Sequence, residues 1–228
     1  MAKLYKGQAS FGNPKIYLAI TVVMVAIALY YMYDIFCLQP KFGTHDTSGA
    51  TVAIILLALS NIPWRKYRIM ESGVSGEERN MDILASLPSD YHVLTNVKIA
   101  NTELDAIVVG PNGVFLVEVK NYGGQLETSY SGSWTQKKRG HSNSIKNPIK
   151  QLNWHSKELV SFLRSHGIKA WVDSRVFLSN PDVSVDNLPN RCLDSASSLR
   201  RWIEDYQARH EIDEKEVIEI VDLLKGVQ

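Results

Sequence analysis

Cysteine is nearly missing: only Cys37 and Cys192 occur among 228 residues, far apart and in regions of different character. No disulfide framework and no cysteine-based zinc site is therefore implied. The six histidines show no metal-ligand spacing. Net charge is also low, formally +1 for the chain, and residues 71–228 alone carry a net −4. A global nucleic-acid footprint of basic charge is thus absent. No small-x-small cleavage site follows the first apolar run, which argues against a cleaved signal peptide. Ile35-Phe36-Cys37 also lacks the small residue expected before a lipoprotein cysteine.

Long apolar runs are present, and they sit at one end. Residues 16–33 are apolar apart from Thr21, and the run continues past Asp34 to Leu38. That length spans a bilayer, and Tyr30, Tyr31 and Tyr33 suit a membrane interface. A second, shorter run reaches spanning length as residues 47–64. The sequence thus predicts two transmembrane helices, about 16–38 and 47–64, within an N-terminal membrane anchor of residues 1–70. Both runs are too apolar all round for surface helices. Lys3, Lys6 and Lys15 precede the first run, and Arg65, Lys66 and Arg68 follow the second. The connection, 39–49, sets Lys41 against Asp46. This distribution predicts a multi-pass protein of the cell (inner) membrane with both termini cytoplasmic.

The remainder is organised around residues 104–120, LDAIVVGPNGVFLVEVK. Two β-branched, apolar runs flank Gly110-Pro111-Asn112-Gly113, the turn chemistry of a hairpin. With Pro111 and Asn112 as the loop, Gly110 pairs with Gly113, and every opposed pair sums to 223. Asp105 then lies opposite Glu118 on one face, and Lys120 shares that face. Close carboxylates repel unless a cation lies between them. Oxygen-rich sites of this kind suit Mg²⁺ or Mn²⁺, and a nearby lysine equips them for phosphodiester hydrolysis. The plain alternative leaves Asp105 at a strand end in solvent and makes Glu118–Lys120 a surface ion pair.

On either side the pattern alternates helix and strand. Ser72-Gly73-Val74 reads as a linker. Ser75-Gly76-Glu77-Glu78 reads as a helix start, with Ser75 the N-cap and Glu78 at N3 of a capping box. The apolar stripe is Met81, Leu84, Ala85 and Leu87, and Pro88 ends the helix. Glu77 is free of the box, though a first-turn acid also has a plain role beside the helix dipole. A strand over 91–99 follows, with Asn101 and Thr102 turning into the hairpin. Residues 125–130 read as a short strand, and Trp134 begins another. Asn147-Pro148 opens a helix reaching His166, with Gln151 and His155 on a shared face. Residues 170–178 form a further strand, 180–190 a loop, and two amphipathic helices lie near 195–209 and 213–224. Residues 121–175 carry a net +6 between segments of −5 each. That basic segment fits a phosphate backbone beside the site or, equally, a solvated face.

The pieces together resemble the nuclease-related domain (NERD) family over roughly residues 72–180. The resemblance rests on Gly76-Glu77, Asp105-Ala106-Ile107-Val108-Val109-Gly110 and Gly113-Val114-Phe115. It continues through Glu118-Val119-Lys120-Asn121-Tyr122-Gly123-Gly124, Trp134, Asn147-Pro148-Ile149-Lys150-Gln151 and His155. The family is similar to the PD-(D/E)xK nuclease superfamily. The resemblance implies an α/β fold with a mixed sheet and a restriction-endonuclease-like αβββαβ core, here with two membrane helices before it and two C-terminal helices after it. The organisation expected is an anchor at 1–70, a nuclease-like domain at 71–180 and a helical extension at 181–228. The resemblance implies Asp105, Glu118 and the Val119 carbonyl as ligands of Mg²⁺ or Mn²⁺, Lys120 as catalytic lysine, and Glu77 and Gln151 completing the site. Lys137, Lys138, Arg139, Lys146 and Lys150 are expected to contact nucleic acid. The expected activity is metal-dependent phosphodiester hydrolysis of DNA or RNA at the membrane. The alternative is a non-catalytic module binding nucleic acid or protein there.

Overall fold

The computed structural model describes residues 1–7, 13–38, 48–129, 132–208 and 212–228. The chain divides into two compact units, one of Met1–Ser10 with Ser75–Gln228 and one of Phe11–Val74.

The smaller unit is a helical hairpin. Helix α1, Pro14–Tyr33, is capped by the Asn13 side chain and has Pro14 at its first position, where a missing N–H costs nothing. It continues as a wider-turned segment, Asp34–Leu38. Helix α2, Ser48–Ala85, starts in this unit. A Cβ on Gly49 would lie 3.1 Å from the Tyr31 ring, and Lys66 Nζ stands 5.2 Å from the centre of the Tyr17 ring. The two helices therefore run antiparallel, with the small residues Ala28 and Ala53 fully buried.

Among the described residues one helix, Pro14–Leu38, is long and apolar enough to cross a membrane. This corrects the expectation of two such helices. The apolar part of α2 gives way at Ser60, Asn61 and Pro63 and reaches Arg65, Lys66 and Arg68. The start assigned to that second span at Thr47, and the connection holding Lys41 and Asp46, lie outside the described residues.

The larger unit is built on a six-stranded mixed sheet of order β1-β2-β3-β4-β8-β10. Its strands are β1 (Lys3–Lys6), β2 (His92–Ile99), β3 (Thr102–Gly110), β4 (Gly113–Lys120), β8 (Val172–Leu178) and β10 (Cys192–Leu193). The β2–β3–β4 meander is antiparallel, while β1 on β2, β8 on β4 and β10 on β8 are parallel. The inner strands are buried on both faces and so read as continuous apolar runs. One face holds Ile107, Val109, Val114 and Leu116 against α3 (Pro148–Ser165) and α5 (Glu214–Lys225). The other holds Ala106, Val108, Phe115 and Val117 against the end of α2 and α4 (Ala196–Glu204). A small second sheet of order β7-β6-β5-β9 comprises β5 (Gly124–Glu127), β6 (Trp134–Lys138), β7 (His141–Ile145) and β9 (Val183–Val185).

The helix-meander-helix-strand order matches the predicted core, and both C-terminal helices are present. Helix α3 is capped by Asn147 as expected. Three features differ from expectation. Strand β1 forms from residues assigned only to the membrane anchor. Residues 72–74 are helix rather than linker, because α2 runs unbroken to Ala85, so Ser75 is no N-cap and the capping box does not form. Residues 183–185, expected as loop, complete the small sheet. The strand and helix ends placed at Tyr130 and Arg209 lie outside the described residues.

Candidate active site

The β3–β4 hairpin has the predicted register, from Gly110↔Gly113 to Ala106↔Val117. One step further the ladder is replaced by a side-chain contact, with Val119 N–H donating to Asp105 Oδ2 at 2.7 Å. Strand alternation places Glu118 with Val114 and Leu116 on the α3 face. The Glu118 carboxylate is wholly buried, and both of its oxygens are held. Lys120 Nζ donates to Oε1 at 2.5 Å, and His155 Nδ1 on α3 meets Oε2 at 2.7 Å. The surface ion pair considered above is thereby excluded. His155 itself is buried, on the apolar stripe of Leu152, Leu159 and Leu163.

The electrostatics follow from burial with one cation among several acids. Burial pushes the Asp105 carboxyl up to about 7, aided by the Glu118 charge and opposed by Lys120 and the Val119 N–H. Burial also works to raise Glu118, but the His155 hydrogen bond and the Lys120 ammonium together hold it below the ordinary value. Lys120 is raised: burial lowers it, and the charges of Glu118 and Asp105 more than compensate. Glu77, half-buried on α2, is raised by burial and by Glu103, against the pull of Lys120. Tyr122 is raised by burial, with Lys120 opposing. Two protonation patterns are thus available, with Asp105 the group that titrates near neutrality.

The site depends on the close approach of α2 to the end of β4. Gly76 is the reason it can come so near: a Cβ there would lie 2.8 Å from both Asn121 Cβ and Ser179 Oγ. The adjacent Glu77 is thus brought within electrostatic range of Lys120 and Asp105.

Asp105, Glu118, Val119 and Lys120 are therefore in contact, with Glu77 nearby. Gln151 lies on α3 one turn before His155 and is exposed. The basic residues are dispersed. Lys137 is ion-paired with Glu127. Lys138 Nζ is 3.2 Å from a Cβ position on Gly123, just beyond the end of β4. Arg139 and Gly140, both at positive φ, turn β6 into β7. Lys146 and Lys150 are exposed. Among the described residues no group of three or more His, Cys, Asp or Glu side chains is arranged to hold a metal.

The sequence places His155 on one face with Gln151 without assigning it a role, and no pattern in it singles out Glu103. The available signal for His155 was its spacing of three and four residues from Leu152 and Leu159, which puts a polar group on a buried stripe that must find a partner.

The fold is α/β with a mixed sheet and C-terminal helices, and its polar centre is a buried carboxylate, lysine and imidazole cluster between β4 and α3. The profile of the nuclease-related domain family matches residues 72–179. Residues 72–179 are thus similar to the nuclease-related domain family. Among curated proteins, it is 33% identical over 112 residues to an uncharacterized protein of Bacillus anthracis, covering 46% of this chain and 52% of that one. It is 34% identical over 89 residues to a probable kinase, PglW, of Streptomyces coelicolor, covering 36% of this chain and 5% of that one. The chain therefore spans about half the length of one relative and a small fraction of the other. No solved structure matches.

Proposed function

We propose that the nuclease-related domain is a divalent-metal-dependent phosphodiesterase acting on DNA or RNA, held at the cell (inner) membrane by the Phe11–Val74 unit. The observation that carries this reading is the buried Asp105–Glu118–Lys120 cluster fixed from α3 by His155. A carboxyl raised to about 7 by burial and a neighbouring acid is one that an added cation returns to its ionised form. In that respect the residues present fit Mg²⁺ or Mn²⁺. Asp105, Glu118 and the Val119 carbonyl would hold the ion, with Glu77 in support. When bound, the ion supplies an activated water and charge neutralisation at a phosphodiester.

The chain's own groups supply the rest. Lys120 remains protonated and stabilises negative charge on the phosphate, and it orients the attacking water. His155 keeps Glu118 in one rotamer. Gln151 orients a phosphate or water from the outer turn of α3. Lys138, Arg139, Lys146 and Lys150 follow the phosphate backbone, with Lys137 available on release from Glu127.

One observation favours a second reading. Both Glu118 oxygens are already held by protein groups, and such a closed cluster serves a non-catalytic module that binds nucleic acid or protein at the membrane. Titrating Mg²⁺ or Mn²⁺ into the full chain, wild type beside Asp105→Asn, with melting as readout, separates the two. Stabilisation of the wild type alone supports the metal site. Equal response, or none, overturns it and favours the module.

For the membrane, the supporting observations are the apolar α1 and the pairing of β1 with β2. Residues on both sides of the Phe11–Val74 unit belong to one sheet. A chain whose α1 lies in a bilayer must therefore leave and rejoin the same face of it. Basic residues on both sides of the apolar runs, Lys3, Lys6 and Lys15 before them and Arg65, Lys66 and Arg68 after, support a cytoplasmic side for that face. Accessibility of a reporter inserted between α1 and α2 tests this. Protection from a cytoplasmic probe supports the arrangement, and free reaction with it overturns it.

A further inference from the structure

Helix α3 has two faces of different kinds. Leu152, His155, Leu159 and Leu163 point into the core. Lys150, Trp154, Lys157, Ser161 and Arg164 recur at intervals of four, three, four and three, which places them in one line on the opposite face. All five are exposed. Trp154 is 59% exposed, an indole with most of its surface in water. An open hollow lined by Ser156, Lys157, Val160, Ser161 and Arg164 adjoins it. Among the described residues none of the three cations has an ion-pair partner. The one acid of the helix, Glu158, lies off the line and is half-buried. Lys150 stands in the first turn, where the helix dipole disfavours a cation. Helix stability therefore explains neither Lys150 nor the bare Trp154.

We infer that this outer face of α3 is a binding track for single-stranded nucleic acid, with an unpaired base stacked on Trp154 and phosphates beside Lys150, Lys157 and Arg164. The inference rests on the nucleic-acid reading of the domain and adds the form of the substrate. Aromatic stacking combined with positive charge along the backbone binds a strand without reading its sequence, and this face offers one such aromatic between spaced cations. The line runs about 21 Å along the helix at 1.5 Å per residue, and it begins beside Gln151, one turn from the histidine that holds Glu118. A lipid surface fits less well, since interfacial helices bury several large apolar side chains. This face has one, set among serines and cations.

The test is equilibrium binding of a labelled oligothymidylate to the full chain in EDTA across a salt series, with a matched duplex and phosphatidylserine-containing vesicles as further probes. Trp154→Ala is expected to weaken single-strand binding about 5- to 150-fold, the range for loss of one stacked base, and to leave the salt dependence unchanged. Trp154→Phe retains most of the affinity. The double change Lys157→Ala, Arg164→Ala is expected to lower the slope of log affinity against log salt by about 1.4, roughly 0.7 per lost cation on a single strand. If wild type and Trp154→Ala bind the oligonucleotide equally, the track is overturned while the nucleic-acid reading stands. If the wild type binds neither oligonucleotide, both fail together. If Trp154→Ala loses vesicle binding and keeps oligonucleotide binding, the face belongs to the membrane and the inference is overturned.

Discussion

At the level of single residues, the site stores an unfavourable charge arrangement. The folded Asp105 carboxyl titrates at about 7, above its ordinary value of 3.8. The folded state therefore binds more protons than the unfolded one between those values. The stability this contributes is fully present below about pH 4 and is lost as pH rises through 7. Without metal, Asp105→Asn is expected to be more stable than wild type at pH 8, by up to a few kcal/mol at about 1.4 kcal/mol per tenfold change in proton affinity, and so to melt at a higher temperature. The difference is expected to vanish near pH 4, as melting curves across that range would show. His155→Ala acts in the opposite direction. It leaves a fully buried Glu118 oxygen without its partner and is expected to cost about 1–3 kcal/mol. Denaturant titration checks this, and a cost near zero would mean that water or Lys120 takes the vacated place.

Among the elements, α2 shows where local sequence signals lose to the larger structure. Ser75-Gly76-Glu77-Glu78 has the composition of a helix start, yet the helix passes through it. The glycine serves packing instead, letting α2 reach Asn121 and Ser179. Gly76→Ala is expected to push α2 from the end of β4 and cost about 1–3 kcal/mol. It should also weaken any metal response by displacing Glu77. Thermal melts with and without Mg²⁺ measure both effects, and unaltered melts would show that α2 accommodates the methyl group. The hairpin, by contrast, was legible. Its β-branched runs, its Gly-Pro-Asn-Gly turn and its polar interruptions all fix one register, and five observed pairs keep it. His155 was half-legible: its position on a buried stripe was readable, but its partner sits on a strand 37 positions away in sequence. The small sheet was legible only in part. Its strands are short and polar, and β9 comes from a stretch rich in turn residues.

For the molecule as a whole, the least legible feature is β1. Lys3-Leu4-Tyr5-Lys6 is four residues long, and nothing local in it announces a partner at His92–Thr95. Tyr5 stacks on His92 with ring centres 5.9 Å apart and shares a hydrogen bond with its Nδ1 at 3.2 Å. Gln228 Nε2 donates to Tyr5 O and Thr95 O, and Lys225 Nζ lies 4.8 Å from the Tyr5 ring centre. Burial, then Lys3 and Lys225, hold the His92 imidazole below its usual value. Tyr5→Pro, which removes a ladder donor and the stack, is expected to raise amide hydrogen exchange in residues 92–95 at least tenfold, about 1.4 kcal/mol of local stability. Unchanged protection there would show that β2 holds its place without β1.

That strand also sets an order of events during synthesis. Lys3–Lys6 leaves the ribosome well before His92–Thr95 exists to receive it, and the apolar helix emerges in between. That helix is complete while the strand is still unpaired, and the edge of β2 stays open until residues 3–6 return to it. Since α5 packs on β2 and its last turn holds Tyr5, the final closure waits for the last helix as well. A strand made before the rest of its sheet is thus among the last parts of that sheet to be fixed.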